Sequence, residues 1–539
     1  MNAQVQRRAR PTMATLVGML SLACTAETPP ARDAAVMAMP PAVFTDPERR
    51  EKLLSAVPAM DSLFLAFMAE RRVPGIAWGL LLDGELVHVG TAGRRELATN
   101  TLVDRQTVFR IASMTKSYTA LAILRLRDAG RLSLDDPAER YVPELRGLAY
   151  PTGDSPRITI RHLLSHATGF PEDNPWGDRQ LDASDEAMSA MMRGGIPFSN
   201  PPGLFYEYSN YGFAILGRIV ANVSGMSYPE YLRAEILDPL GLSATTLEAS
   251  EVTADRLAHG YRWEDDQWKD EPPLPDGAFG PMGGMLTSID DLGRYVAFLM
   301  DAWPARDEAQ TGPVGRASRR EMQQVARPRP ARVLATEAPG GVELSAGGYG
   351  YGLGISQSCG LDHVVAHSGG LPGYGSQMRW LPEHGVGIIA LGNLTYTGWG
   401  GVITQAFGLL AATGALQPRV PQPSAALVEA REAVTRLVNN WDDALADSIA
   451  AMNLFLDEAK ERRRAQIVGL RTEVGPCEPV GAFAVENALR GRWRLRCEQG
   501  GIEVGITLAP TMPPKVQLLS VRRADPDQPI TGAPVCPGP

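Results

Sequence analysis

Between Gly75 and Leu391 the strand-forming runs stand at the two ends and helical patterning occupies the middle. This arrangement limits the possible folds more than any other feature of the chain. The runs Gly75-Ile76-Ala77-Trp78-Gly79-Leu80-Leu81-Leu82 and Glu85-Leu86-Val87-His88-Val89 flank Asp83-Gly84. Two apolar runs around Asp-Gly are the pattern of a β-hairpin. Helical patterning runs from about Pro47 to Glu70, and a second helix from about Ser113 to Ala129 stops at Gly130. Mixed helices and loops fill 135–300. Strand character returns at His363–His367, Gln377–Leu381 and Val386–Leu391, with turns at Leu371-Pro372-Gly373 and Pro382–Gly385. Distant ends that both form strands are most simply joined in one antiparallel sheet covered by helices. Residues 303–345, rich in Arg, Pro and Gly, read as a surface excursion that shapes a pocket rim.

Composition narrows the function. The 539 residues allow two to four domains at roughly 150 residues each. The net charge of −9 and sequence pI near 5.5 argue against general nucleic-acid binding, which calls for a basic surface. No apolar run reaches the roughly 20 residues of a spanning helix, which argues against a multispan membrane protein. Five cysteines without a CxxC pair suit neither a disulfide scaffold nor a zinc site. The 52 basic residues include only five lysines: Lys52, Lys116, Lys269, Lys460 and Lys515. A buried lysine in so Arg-biased a chain needs a reason.

The first 26 residues have the layout of an export signal. Arg7, Arg8 and Arg10 precede the apolar stretch Met13–Ala23, and small residues follow. Leu20-Ser21-Leu22-Ala23-Cys24 loosely resembles a bacterial lipoprotein box, with lipid attachment at Cys24 as one route and cleavage near Ala26 without lipid as the other. The expected location is therefore periplasmic, or membrane-anchored as a lipoprotein. Residues 27–48 read as a tether, and residues 49–416 as the principal domain.

The strongest chemical signal is Phe109-Arg110-Ile111-Ala112-Ser113-Met114-Thr115-Lys116. Ser113 and Lys116, three apart on a helix, share one face. Lys116 is the only charged residue between Ile111 and Leu124, so the helix is expected to be buried on most sides. Burial depresses a lysine pKa, and a depressed lysine can take a proton from a serine hydroxyl, as an arginine cannot. Ser113 also stands at the helix N-terminus, where free N–H groups favour developing negative charge. A lysine snorkelling from a helix end is the plainer reading, and the apolar context disfavours it.

Two weaker elements follow. In Tyr206-Glu207-Tyr208-Ser209-Asn210, a tyrosine near a cation can have its phenol pKa lowered and serve as a base. In His363-Val364-Val365-Ala366-His367-Ser368-Gly369-Gly370, an apolar strand ends in small residues that allow close backbone approach by a substrate. Taken alone, the first reads as a loop before a helix, and His367 as a satisfied strand histidine.

Together, and in this order, the three elements resemble the serine β-lactamase and penicillin-binding-protein superfamily. The Tyr-x-Asn version is similar to class C β-lactamases, D-alanyl-D-alanine carboxypeptidases, D-aminopeptidases and β-lactamase-like esterases. His162-Leu163-Leu164-Ser165-His166-Ala167-Thr168-Gly169 and Gly283-Gly284-Met285-Leu286-Thr287-Ser288 extend the likeness over about residues 50–415. The resemblance implies a β-lactamase/transpeptidase-like α/β (α+β) fold. It also implies roles. Ser113 would be the acylated nucleophile, and Lys116 and Tyr208 would share the base and acid work. Asn210 would orient Lys116 and the substrate amide. The N–H groups of Ser113 and Gly370 would form the oxyanion hole, and His367, Ser368, Gly369 and Gly370 would line the substrate strand. His166 would hold its loop. Position 367 departs from the lysine usual in β-lactamases, and a histidine there is mostly neutral at pH 7, which lowers the expectation of efficient antibiotic hydrolysis.

Pro418, Pro421 and Pro423 mark a linker, 417–424. Residues 425–525 read as a small cone-like α+β domain resembling the nuclear-transport-factor superfamily, with a tail at 526–539. Helical patterning runs from Ala425 to Arg471, and strand-like runs follow at Val480–Val485, Arg492–Arg496, Ile502–Leu508 and Val516–Val521. Cys477 and Cys497 flank two adjacent strands, and export permits a disulfide between them, with two buried thiols as the alternative.

The whole-chain expectation is a serine hydrolase forming an acyl-enzyme on an amide or ester, D-amino-acid peptidase-like or esterase-like. A β-lactamase and a non-catalytic penicillin-binding-like protein are the alternatives. No metal or cofactor is called for, because the histidines are scattered and the His162/His166 pair lacks an acidic partner. The expected partner is a small-molecule or peptide substrate, cell-wall fragments included.

Overall fold

The computed structural model describes residues 39–335, 342–528 and 530. The expected signal at 1–26, Cys24, and most of the tether and tail lie outside them. The described chain divides into two compact units, residues 40–422 and 423–528.

In the larger unit the strands are β1 (Gly75–Leu82), β2 (Glu85–Glu96), β3 (Thr101–Leu102), β4 (Val108–Arg110), β5 (Tyr261–Glu264), β6 (Gln267–Asp270), β7 (Leu286–Ser288), β8 (Arg327–Ala335), β9 (Val342–Tyr349), β10 (Gly354–Gln357), β11 (Val364–Leu371), β12 (Tyr374–Leu381) and β13 (Val386–Gly392). Nine of them form one sheet in the order β3-β2-β1-β13-β12-β11-β10-β9-β8. β1 pairs antiparallel with β13, from Ile76↔Gly392 to Leu82↔Val386, so the two ends of the unit do meet in one sheet. β1 alternates: Ile76, Trp78, Leu80 and Leu82 join one core and Ala77 and Leu81 the other. The first core is closed by the helices Val57–Arg71 and Gly400–Ala412, through Phe64, Phe67, Trp399 and Ile403. The stretch Arg49–Arg71 is long and apolar enough to suit a membrane span by composition. Here its Leu53, Met60, Phe64 and Phe67 belong to that core. The second core contains the buried helix Thr115–Asp128 and the helices Asn210–Ser224 and Ile289–Met300.

Two expectations are corrected. Residues 303–345 are not a loose excursion. They carry a helix, Arg316–Met322, and the edge hairpin β8–β9. Pro328 and Pro330 hid the strand in the sequence, and an edge strand tolerates proline because one side of its ladder is unpaired. Residues 40–48 are not all tether. Val43 exchanges backbone hydrogen bonds with Val420 at 3.1 and 2.7 Å, and the Arg49 and Arg419 guanidiniums lie over the Phe44 ring.

In the smaller unit, helices including Ala425–Asn439 and Lys460–Val474 accompany the sheet β14 (Cys477–Asn487), β15 (Arg490–Cys497), β16 (Gly500–Leu508) and β17 (Val516–Arg523), in sequence order. Trp493, Leu495, Ile502, Val504 and Ile506 meet Leu427, Val434 and Ile467 in its core. Cys477 and Cys497, opposite each other across β14 and β15, form a disulfide.

Candidate active site

Ser113 lies in a single 3-10 turn, Ala112–Met114, that runs into the helix Thr115–Asp128. Ala112 holds φ +48, a left-handed conformation uncommon for a residue with a Cβ. Three contacts fix the turn. Ile111 N–H donates to Met285 O at 2.9 Å, Thr115 Oγ1 to Ala112 O at 2.6 Å, and Ser376 Oγ to Ile111 O at 2.8 Å. Strained residues held by several partners recur at functional sites.

Lys116 is fully buried, at 0% exposure. Its Nζ lies 2.7 Å from Asn210 Oδ1, 2.7 Å from Met282 O and 3.1 Å from Ser113 Oγ. Burial lowers its pKa to about 7, against the pull of Asp178 and Asp173. A neutral amine has two N–H groups and one lone pair. Asn210 Oδ1 and Met282 O take the two N–H groups, which leaves the lone pair for the Ser113 hydroxyl.

Tyr208 hydrogen-bonds Ser113 as well, and the Lys116 ammonium stands 4.8 Å from its ring centroid. The sequence reading of a lowered phenol pKa is reversed. Burial raises the Tyr208 pKa well above 10 and outweighs the Ser113 hydrogen bond, so the side chain is a phenol at neutral pH.

Asn210 opens the helix Asn210–Ser224, whose N-terminus is tightly held. Ser209 Oγ accepts from Gly212 N–H at 3.1 Å. The Asp173 carboxylate accepts from Asn210 N–H at 2.6 Å and Tyr211 N–H at 2.8 Å, as a helix N-terminus favours. Asn210 Nδ2 donates to Asn174 Oδ1 at 2.6 Å, which aims Oδ1 at Lys116. Gly177 packs on the same amide: a Cβ there would sit 2.7 Å from Asn210 Cβ. The loop carrying Asp173, Asn174 and Gly177 gave no signal in the sequence, because each residue acts through its distance to Asn210. Met282 was equally hidden, since its contribution is a carbonyl.

The third element is β11. Its ladder with β10 ends at Gly354↔Ala366, so β10 pairs none of His367 to Leu371. An open strand edge can accept an extended substrate backbone. Gly369 lets this strand press against the turn that carries Ser113: a Cβ would lie 2.0 Å from Ile111 O. At Gly370 a Cβ would lie 2.8 Å from Tyr396 Cδ1. The Tyr396 hydroxyl donates to the buried Asp178 at 3.0 Å. Ser368 is exposed and His367 buried. His367 Nδ1 lies 2.6 Å from the Ser368 carbonyl and is therefore the donor, so Nε2, 2.8 Å away, accepts from the Tyr349 hydroxyl. Burial pushes the His367 pKa down to about 3. His166, at φ +54, accepts the Ser209 N–H on Nδ1 at 3.0 Å, and its ring stands 4.3 Å from that of Tyr208. It ties two loops together, and burial holds its pKa well below 6.5.

A cleft of about 230 Å³ opens beside Tyr208 and β11, lined by Tyr206, Tyr208, Tyr349, His367, Ser368 and Gln377 among others. A larger cleft, about 580 Å³ and lined by Arg218, Tyr228 and Asp276, has none of Tyr208, His367 or Ser368 in its lining. Among the described residues no group of three His, Cys, Asp or Glu could hold a metal ion.

A family model described as Beta-lactamase matches residues 60–413. The flp protein of Staphylococcus aureus (strain MW2) is 25% identical over 338 residues, 62% of this chain and 62% of that protein. Penicillin-binding protein 4* of Bacillus subtilis (strain 168) is 26% identical over 332 residues, 58% of this chain and 66% of that one. The chain thus spans a little under two thirds of the length of these curated relatives. Among solved structures, the octameric penicillin-binding protein homologue from Pyrococcus abyssi superposes with a TM-score of 0.56 at 24% identity, covering 84% of this chain and 91% of that one. A class C beta-lactamase superposes with a TM-score of 0.52 at 18% identity, covering 66% and 96%.

Proposed function

The chain belongs to the beta-lactamase family, and from that premise we propose that it is a serine hydrolase that works through an acyl-enzyme on an amide or ester. One observation carries the reading. Lys116 Nζ, buried and with its pKa lowered to about 7, stands 3.1 Å from Ser113 Oγ with two acceptors holding its N–H groups. A protein that only binds need not keep a buried lysine in that arrangement.

The steps follow from the groups. Ser113 Oγ attacks the scissile carbonyl while the neutral Lys116 amine takes its proton. The carbonyl oxygen gathers negative charge at the backbone N–H groups of Ser113 and Gly370. As the bond to the leaving group breaks, the Tyr208 phenol delivers a proton to it, and the proton that Lys116 took from Ser113 passes to the Tyr208 phenolate, whose ring stands 4.8 Å from the ammonium. Water then attacks the ester on Ser113, with Lys116 again receiving a proton, and Ser113 leaves as the alcohol. Within this class we favour a D-amino-acid peptidase-like or esterase-like substrate. The neutral His367 supports that preference over a β-lactam, since it supplies no cation at that place.

Intact-protein mass after exposure to a penicillin, and separately to a fluorophosphonate, tests the reading. Adducts are expected on the wild type and not on Ser113→Ala. A persistent penicillin adduct favours a D-peptidase-like site, fluorophosphonate labelling alone favours an esterase, and rapid penicillin turnover favours a β-lactamase. No adduct with either reagent on folded protein overturns the reading in favour of a binding protein.

A further inference from the structure

The two walls of the active site come from parts of the chain far apart in sequence. One wall is the loop that carries Asp173, Asn174 and Gly177, which holds Asn210 and through it Lys116. The other is β11, which carries Gly370. Asp178 stands in the short turn Gly177–Arg179 at the end of the first wall and is buried, at 3% exposure. Tyr396 follows β13 and belongs to the second wall. It holds φ +51, its N–H donates to Tyr374 O at 3.1 Å, and its ring lies against Gly370, where a Cβ would come within 2.8 Å of Tyr396 Cδ1. A residue with a Cβ in the left-handed region costs free energy, and surrounding contacts must hold it there. The hydrogen bond from the Tyr396 hydroxyl to Asp178 Oδ2, at 3.0 Å, is one of those contacts, and it joins wall to wall.

Asp178 also acts on Lys116. Burial depresses the lysine, and of the groups that oppose this Asp178 comes first and Asp173 second. Asp173 already engages both its oxygens with the N–H groups of Asn210 and Tyr211. The other titratable groups around Lys116 are Tyr208, His166 and His367, and burial keeps all three uncharged at neutral pH. Around Asp178 stand Lys116, Asp173, Arg179 and Tyr396. Burial pushes the Asp178 carboxyl up, and the Tyr396 hydroxyl and Lys116 hold it down. Without an acid nearby, a fully buried lysine is a weaker base and takes the Ser113 proton less readily.

Resting on the hydrolase reading above, we propose that Asp178 is a positioning residue for acylation, which anchors the Gly370 wall through Tyr396 and supplies the buried negative charge that keeps Lys116 a competent base. One carboxylate then serves both groups that act on the attack by Ser113. The hydrogen bond places the oxyanion donor, and the charge sets the strength of the base.

The test is the rate of Ser113 acylation by a fluorophosphonate as a function of pH, measured on the full chain. Asp178→Asn keeps the shape and an acceptor for Tyr396 and removes the charge. Its pH midpoint is expected about one unit below that of the wild type, because loss of a negative neighbour favours the free amine. Asp178→Glu keeps the charge and is expected to keep the wild-type midpoint, with a lower plateau. Tyr396→Phe keeps the ring on Gly370 and removes the hydroxyl, and its plateau rate is expected to fall about tenfold. Rate constant and midpoint are both independent of the folded fraction, so a partly unfolded variant still reports. An unmoved midpoint in Asp178→Asn overturns the assignment, and so does a wild-type plateau in Tyr396→Phe. The hydrolase reading survives either result, since the wild type is still labelled at Ser113. Absence of any labelling of the wild type removes the hydrolase reading and this one with it.

Discussion

Lys116 concentrates the chemistry of the site in one nitrogen. Its burial costs the charged form its hydration, and the lowered pKa of about 7 follows. The neutral amine is the form that accepts the Ser113 proton. Because this pKa is depressed, the active form is scarce below pH 7 and dominates above it. The acylation rate of Ser113 by a fluorophosphonate is therefore expected to rise with pH through an apparent pKa near 7, and a pH-independent rate between 5 and 9 would exclude Lys116 as the base. Lys116→Arg keeps a cation but cannot release its proton, and its acylation rate is expected to fall about 100-fold or more. Tyr208→Phe keeps the Ser113–Lys116 pair and removes the phenol. Its turnover is expected to fall by about 10- to 100-fold, with the pH midpoint still near 7.

At the scale of elements, the site depends on how closely a strand and a turn approach. β11 lies against the turn that carries Ser113, and Gly369 is the residue that permits it. A Cβ there would meet Ile111 O at 2.0 Å and Ser376 Oγ at 2.3 Å, and the first of these is backbone, which cannot swing aside. Gly369→Ala is expected to push the Gly370 N–H away from the oxyanion position and to reduce acylation about 100-fold. Its circular dichroism is expected to match the wild type, and full activity would show that the strand can move without cost. The edge hairpin β8–β9 works the same way from the other side. Gly347, opposite Arg329, leaves room for the guanidinium to cross β9 toward Tyr206, so a segment read as a pocket rim adds a charge to the cleft lining.

At the scale of the whole molecule, each unit holds its own core. Residues 53–415 supply the two cores of the larger unit, and residues 426–519 supply that of the smaller. The Cys477–Cys497 bond closes a sequence separation of 20 within the smaller unit. In the chain-entropy account a loop of this size contributes about 3 kcal/mol. Cys477→Ser with Cys497→Ser is expected to lower one thermal transition. The other transition, and fluorophosphonate labelling of Ser113, are expected to remain. Loss of labelling in that variant would tie the larger unit to this bond.

What the sequence determined by itself was local. Apolar strand-forming runs at both ends of the larger unit implied a shared sheet, because a strand must find neighbours for its backbone hydrogen bonds. Ser113 and Lys116 were legible because three residues on a helix are a fixed distance, and the apolar run around Lys116 announced its burial. Cys477 and Cys497 were legible as ends of adjacent strands. Tertiary structure decided the rest, because the remaining groups act through space. Tyr208 is a phenol and not a phenolate because of what packs around it. His367 is neutral because burial and the nearby Lys116 disfavour its charge, against the Ser368 carbonyl that accepts from it, and Tyr349, 18 residues away in sequence, occupies its other nitrogen. Asn174, from a loop, and the Met282 carbonyl, from the short helix Gly280–Gly283, aim Lys116 with no signature of their own. Arg329 was one arginine among many in a Pro-rich stretch. Its place beside β10 follows from glycines on two other strands, which are no property of its own sequence neighbourhood.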